Sequence, residues 1–349
     1  MAEFAIGTRM VGDGHPPLVI AEIGVNHLGD MRIARDMIKA AADAGAECVK
    51  GQCHIPHEEQ TDAVPERVRE TIRRCALDAD QERELCDYAR SLGLIYISTP
   101  FSVAAADRLH ALDLPAYKIG SGELTNTPLL ERVASFGKPV IVSTGMATTG
   151  DLIDICNLLY DRNVDKAFLH CTSLYPTPPS AVRLGSMRQL RGALFQDVVG
   201  LSDHSRGIAC AMGAVALGAH IIEKHFTLSH DLETPDAEVS IDPRELADLV
   251  AGAKAVWQAS SDVVHDWDAI MESDWERPVS SAELEVAAWA RHSVTLRRAV
   301  KAGEVLTAEH LTCKRPAGGL PPSKLRECIG RVAYRDMPAD WQVREEDIA

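Results

Sequence analysis

Nowhere in the 349 residues do 18 apolar residues run together, so no segment reads as a membrane-spanning helix. Positive charge is scarce. The 36 Lys and Arg are outnumbered by 51 Asp and Glu, and a formal net charge of -15 excludes a sequence-independent hold on nucleic acid or on an anionic membrane. An anionic ligand must then be captured by local cations. The N-terminal MAEFAIGTRMVGDG lacks the basic start and apolar stretch of a secretory leader, and the cytoplasm is the expected compartment. The nine cysteines include no C-x-x-C pair, which argues against a zinc site or a disulfide framework. Cys48, Cys53 and Cys171 sit inside apolar runs, as small buried hydrophobes do in a reducing compartment. No glycine-rich dinucleotide fingerprint follows the first apolar run, where AEIGVNHLGD stands instead.

What is present is an alternation. Eight β-rich runs (PLVIAEIG, AECVKGQCHI, LIYISTPF, AYKIGSGE, PVIVSTG, AFLHCTS, DVVGLSDHS and AHIIEKHF) are separated by segments with helical spacing, such as RGIACAMGAVALGA. Strands apolar on both faces and separated by helices pair in parallel through right-handed crossovers. Eight such units over about 250 residues fit a (β/α)8 TIM barrel better than an open doubly wound sheet. The barrel is expected over residues 1–258, with a polar, acidic linker over 259–285. Residues 286–349 form a small, mostly β unit, marginal alone and expected to dock on something.

In such a barrel the carboxyl ends of the strands converge on one face. Here all eight carry polar groups: Glu22; Lys50 and Gln52; Ser98 and Thr99; Lys118 and Ser121; Ser143 and Thr144; His170 and Thr172; Ser202 and His204; Glu223 and His225. A single polar strand end is commonly a turn or cap, but eight in one position point to a site. His204 and His225 end neighbouring strands, so their imidazoles can meet. Two imidazoles without a nearby Cys or Asp suit a six-coordinate Mn2+ or Mg2+ completed by water and substrate oxygens, the alternative being that each is hydrogen-bonded in the core. His170, His54 and His27 have weaker claims. Lys50 and Lys118 on one rim suggest a ligand with more than one negative group, cradled by Thr99, Ser121, Ser143 and Ser202, or else internal ion pairs with Glu22, Glu123 or Glu223. Glu22, and Asp236 in the ETPDAEVS loop, are the acid-base candidates.

Taken together, IAEIGVNHLGD, STPFS, YKIGSGELTNTPLL, KPVIVSTGM, HCTSLYPTP, GLSDHS, EKHFTL and TPDAEVS resemble the bacterial sialic acid (N-acetylneuraminate) synthases and their relatives that make other nonulosonic acids. The C-terminal AVKAGEVLTAEHLTCKRP and IGRVAYRDMPADWQV resemble the antifreeze-like (SAF) domain of that family.

The resemblance implies a transferase that condenses phosphoenolpyruvate with the open-chain aldehyde of N-acetylmannosamine, or of another six-carbon amino sugar leading to legionaminate or pseudaminate. It implies that His204 and His225 hold a divalent metal, Mn2+ foremost and Mg2+ or Co2+ as alternatives. Lys50, Thr99, Lys118, Ser121, Ser143, Ser173 and Ser202 match phosphoenolpyruvate contacts. Glu22, Gln52, Tyr175 and Asp236 match positions near the sugar, with Glu22 and Asp236 catalytic. It further implies a homodimer with swapped C-terminal domains, which places Arg315 on the acceptor. The segment between His54 and Cys75 is shorter than the family's and lacks its Asn and Tyr, Arg291 stands near where some members place an aromatic, and Ser173 replaces an Asn. The donor half thus matches the family pattern, and the acceptor half departs from it. More distant readings are a lysine Schiff-base aldolase working through Lys118 and a sugar-binding module on a degenerate barrel.

Overall fold

The structure is a computed structural model and describes residues 2–194, 196–263 and 279–349. The chain opens with an antiparallel hairpin, β1 (Glu3–Ile6) and β2 (Arg9–Gly12). Eight parallel strands follow: β3 (Leu18–Glu22), β4 (Cys48–Cys53), β5 (Ile95–Pro100), β6 (Tyr117–Ile119), β7 (Val140–Ser143), β8 (Lys166–Cys171), β9 (Val198–Asp203) and β10 (Ile221–His225). They close into a barrel, β10 pairing with both β9 and β3. This is the TIM barrel expected from the eight alternating runs.

Side chains of a strand alternate between its two faces. Val19 and Ala21 of β3 face outward, into a large core shared with helix residues such as Met37, Ile38 and Leu246. Leu18 and Ile20 face inward and pack with Cys48, Ile97, Ile141, Leu169, Val198 and Ile221. Phe4, Ile6 and Val11 of the hairpin join that inner cluster, so the hairpin plugs the amino-terminal end of the barrel. The sequence reading had not assigned these two strands.

One step of two residues further along β3, β4, β5, β7 and β10, the inward row turns polar. Ile20 is succeeded by Glu22, Cys48 by Lys50 and then Gln52, Ile97 by Thr99, Ile141 by Ser143, and Ile221 by Glu223 and then His225. The interior is therefore oily at the plugged end and ionisable at the mouth.

The helix Pro243–Val263 covers the outside of the barrel. Of the stretch read as a linker, residues 264–278 lie outside the described residues, whereas a helix, Ser281–Ala290, occupies its end and continues past it. Ser280 starts that helix with a capping box closed by Glu283, and its Ala287 and Ala290 pack on Met146 of the barrel. The C-terminal unit then pairs β11 (Ser293–Leu296) with β12 (Leu311–Lys314), antiparallel, around Val294, Leu296, Leu306 and Val343. It docks on the barrel through backbone bonds, Arg315 N–H to the Glu59 carbonyl (2.9 Å) and Thr61 N–H to the Arg315 carbonyl (3.1 Å).

Candidate active site

The mouth is organised around two buried lysines. Lys50, 4% exposed, donates to Thr99 Oγ1 at 3.0 Å and is ion-paired with Glu22; Glu223 Oε2 lies 3.8 Å away. Lys118, 1% exposed, donates to Ser143 Oγ at 2.6 Å and to the Ile119 carbonyl at 2.8 Å, with Glu223 Oε1 at 3.9 Å. Glu223 stands between them and accepts from Ser202 Oγ at 2.9 Å. Internal pairing, one of the two arrangements open from the sequence, is thus present, with Glu22 and Glu223 and not with Glu123. Burial draws the Lys50 ammonium down to about 8, against the opposing pull of Glu223, and lowers Lys118 as well. Burial alone would raise Glu223, but the two lysines outweigh it and hold the carboxyl at about 2.

Beside Lys118 lies a pocket of hydroxyls. Ser121 Oγ accepts the Gly145 N–H at 3.0 Å and lies 3.4 Å from Cys171 Sγ. A side chain at Gly145 would stand 2.1 Å from Ser173 Oγ and 2.7 Å from Ser121 Oγ, so the glycine leaves the room that lets both hydroxyls converge. Ser121, Ser143, Ser173 and Gly145 are brought together next to Lys118, while Thr99 and Ser202 join through Lys50 and Glu223. This is a set of donors suited to a phosphate or carboxylate.

His204 and His225 meet across the opposite side, with ring centroids 5.3 Å apart and planes at 48°. The Thr172 carbonyl, 3.1 Å from His204 Nδ1, takes the hydrogen of that nitrogen and leaves Nε2 to the Tyr175 hydroxyl 2.9 Å away. Burial would lower the imidazole, but Cys171, whose Sγ lies 3.7 Å from Nδ1 and which the sequence did not place here, raises it. Tyr175 lays its ring against His204 at 4.1 Å. His225 Nδ1 is buried without a hydrogen bond, Asp236 Oδ2 being 3.3 Å off. Burial lowers the His225 imidazole, so its lone pair is available at neutral pH. Two buried imidazoles this close, with the Asp236 carboxylate beside one and the Tyr175 hydroxyl beside the other, are a donor set that fits a divalent ion completed by oxygens.

Glu22, Gln52 and Asp236 converge at Gly24. A Cβ built there would lie 3.2 Å from Asp236 Oδ2, 3.2 Å from Glu22 Oε1 and 3.3 Å from Gln52 Nε2, and its φ of +47° suits glycine. Burial would raise Asp236, but His225 keeps its carboxyl below the usual range.

Arg315 reaches the rim from the C-terminal domain. It is 8% exposed. It donates to Glu123 Oε1 at 2.5 Å, and its guanidinium lies 5.0 Å from the Phe101 ring centre. His292 Nε2 is 3.4 Å from the other Glu123 oxygen. Burial pushes Glu123 up to about 7 even though Arg315 opposes it. Arg291 donates to the Met146 carbonyl at 2.5 Å and lies 3.3 Å from Asp151.

Of the histidines with weaker claims, His54 touches the mouth through Gln52, and His170 and His27 turn elsewhere. His170, whose parity is outward, binds the Val182 carbonyl at 2.6 Å, and His27 Nδ1 accepts the Gly29 N–H at 3.0 Å. Sequence reasoning passed over Asp203 and Lys224, a fully buried pair at 2.9 Å that anchors the GLSDHS turn, where Asp203 also accepts the Ser205 N–H. Their outward parity on adjacent strands was the available signal. A separate group, His230, Asp242 and Glu245, brings three ligand-type side chains together, but Asp242 and Glu245 are already used capping the helix Pro243–Val263.

Inward-pointing acids, lysines and imidazoles at the carboxyl ends of a closed parallel barrel define a barrel enzyme with its chemistry at that mouth. Residues 37–265 match the NeuB family and residues 291–349 the SAF domain. The chain belongs to the NeuB family and is an enzyme of the transferase class. It is 35% identical to the N,N'-diacetyllegionaminic acid synthase of Campylobacter jejuni, covering 94% of this chain and 99% of that one. It is 31% identical to the human N-acetylneuraminate-9-phosphate synthase, covering 97% and 94% respectively. The Bacillus subtilis spore coat polysaccharide biosynthesis protein spsE superposes with a TM-score of 0.87 at 30% identity, over 100% of this chain and 99% of its own.

Proposed function

We propose that this enzyme condenses phosphoenolpyruvate with N-acetylmannosamine and water, giving N-acetylneuraminate and phosphate. The observation that carries the reading is the sharing of one mouth by two buried lysines among hydroxyls and two imidazoles 5.3 Å apart. An enol phosphate with a carboxylate needs the first set, and a sugar aldehyde awaiting attack suits the second.

In this reading Lys50, Lys118, Thr99, Ser121, Ser143, Ser173 and Ser202 hold the donor. Gln52, Tyr175 and Arg315 orient the acceptor. The donor's C3 bonds to the aldehyde carbon, whose oxygen takes up a proton; water adds at C2 and gives one up; phosphate leaves with the C2–O bond. Glu22 and Asp236 handle those protons, being the carboxylates nearest the acceptor side. His204 and His225 would hold the divalent ion, Mn2+ foremost and Mg2+ or Co2+ as alternatives, which when bound polarises a carbonyl.

We read residues 1–258 as the catalytic unit, 259–285 as the connector, and 286–349 as a domain exchanged between two copies of a cytoplasmic homodimer, the Arg315–Glu123 pair seen within one chain then forming between two. Among the described residues no helix is long and apolar enough to cross a membrane, and all nine cysteines are free thiols.

A second reading of the acceptor, a diacetamido sugar leading to legionaminate, is favoured by the 35% identity to the C. jejuni enzyme. Phosphate release from phosphoenolpyruvate, measured with a panel of amino sugars with and without Mn2+, tests both. Acceptor-dependent release supports the reaction and ranks the sugars, whereas none with any sugar refutes it.

A further inference from the structure

The sequence reading left His54 without a role, yet it is 3% exposed and has both ring nitrogens in use. Nδ1 lies 3.0 and 3.1 Å from the two Glu59 oxygens, and Nε2 lies 3.0 Å from Gln52 Oε1. The far end of the Gln52 amide, Nε2, faces Glu22 Oε1 at 3.4 Å. Glu59 is itself 1% exposed, and the His54 ring stacks on Phe101 at 4.2 Å with the planes 16° apart.

The direction of each bond follows from charge. Glu22 is ion-paired with Lys50 and is therefore a carboxylate, which can only accept. Gln52 must turn its NH2 toward it, because the flipped amide would set two acceptors face to face. Its carbonyl oxygen is then committed to His54 Nε2, which must carry a hydrogen. Nδ1 shares a proton with the Glu59 carboxyl, whose oxygens lie 3.0 and 3.1 Å away. The buried line runs Lys50, Glu22, Gln52, His54, Glu59, with the amide as its hinge.

We propose that His54 and Glu59 are positioning residues that lock the Gln52 amide, so that its NH2 stays turned toward Glu22 and the acceptor. The proposal rests on the assignment of Glu22 and Gln52 to the acceptor side. Without His54, only the 3.4 Å contact to Glu22 holds the amide in that orientation, and its hold on the acceptor loosens. The relay works by orienting another group, so its loss falls on acceptor use and not on the donor half, which Lys118 and the serines build separately.

Two measurements decide it. In 15N-resolved imidazole spectra of the full-length enzyme, His54 Nε2 carries a hydrogen, and Glu59→Gln alters that N–H signal. Kinetically, His54→Phe and Gln52→Met each lower kcat/KM for the preferred amino sugar about tenfold, as expected for one charge-assisted hydrogen bond, and leave KM for phosphoenolpyruvate within about twofold. The double variant falls no further than either single one. Additive losses, or equal losses for donor and acceptor, overturn the proposal. So does a wild-type His54 whose Nε2 carries no hydrogen. If the wild type releases no phosphate with any sugar, the reaction reading fails while the spectra still decide the relay. Should His54→Phe fail to fold, the spectrum of Glu59→Gln reads the same device.

Discussion

Adding a single methyl group at Gly145 should cripple donor binding without unfolding the barrel. The alanine Cβ would stand 2.1 Å from Ser173 Oγ, 2.7 Å from Ser121 Oγ and 3.0 Å from Ser121 Cβ. The first overlap exceeds an ångström, and rotating Ser173 relieves it only by taking the hydroxyl out of the cradle. The second involves a side chain that also accepts the Gly145 N–H, so the turn itself must give. A hydrogen bond to a charged group contributes about 1.5–3 kcal/mol. Losing one and weakening the other costs about 2–4 kcal/mol, or roughly 30- to 1,000-fold in kcat/KM for phosphoenolpyruvate. The assay is phosphate release with the donor varied at saturating acceptor, alongside a melting curve to confirm the fold. Combining Gly145→Ala with Ser173→Ala removes the tightest overlap and should cost no more than Gly145→Ala alone. If Gly145→Ala keeps KM and kcat/KM for the donor within about threefold of wild type, the hydroxyl pocket is not the anion site.

Other consequences follow from the same mouth. Lys50 must be an ammonium to receive an anion, and burial has drawn it down to about 8. KM for phosphoenolpyruvate should therefore hold steady below that pH and climb about tenfold per unit above it, where unliganded enzyme gives up the proton. A flat profile to pH 10 contradicts the assignment. His225→Ala should abolish Mn2+-dependent turnover and weaken Mn2+ binding measured by electron paramagnetic resonance, with the melting temperature little changed; unaltered Mn2+ binding counts against the ligand pair. Lys224→Met leaves Asp203 buried without its counter-ion and should destabilise the fold by about 3–5 kcal/mol in urea unfolding, since breaking a buried pair strands a charge. A shift of less than about 1 kcal/mol would show that the pair is dispensable.

The barrel was legible because its strands are apolar on both faces, and runs such as PLVIA and DVVGL announce themselves without reference to anything distant. The mouth was legible for the same reason. Once a strand is recognised, its last inward position is a matter of counting by twos, which separates Ser143 from Thr144 and His170 from Cys171. The hairpin at Glu3–Gly12 was missed because four-residue strands carry little periodicity, although Phe4, Ile6 and Val11 alternate correctly. The helix at Ser281–Ala290 was absorbed into a linker despite a capping signal, Ser280 followed by Glu283, because the polar run before it dominated the composition. Partnerships were out of reach. Glu123 finds Arg315 across 192 residues, and Asp203 finds Lys224 across 21; which charge neutralises which is decided by strand order and domain docking, not by spacing.

The small domain carries one half of a charge pair whose other half is sunk in the barrel rim. A barrel cut off at residue 258 would leave Glu123 facing solvent or an unfilled hollow, with no cation to steady it, and the wall beside Phe101 would be missing. Removing the appendage therefore takes away part of the proposed acceptor chamber, and supplying the detached fragment should restore turnover only as far as it docks again through Arg315 and its backbone bonds to Glu59 and Thr61.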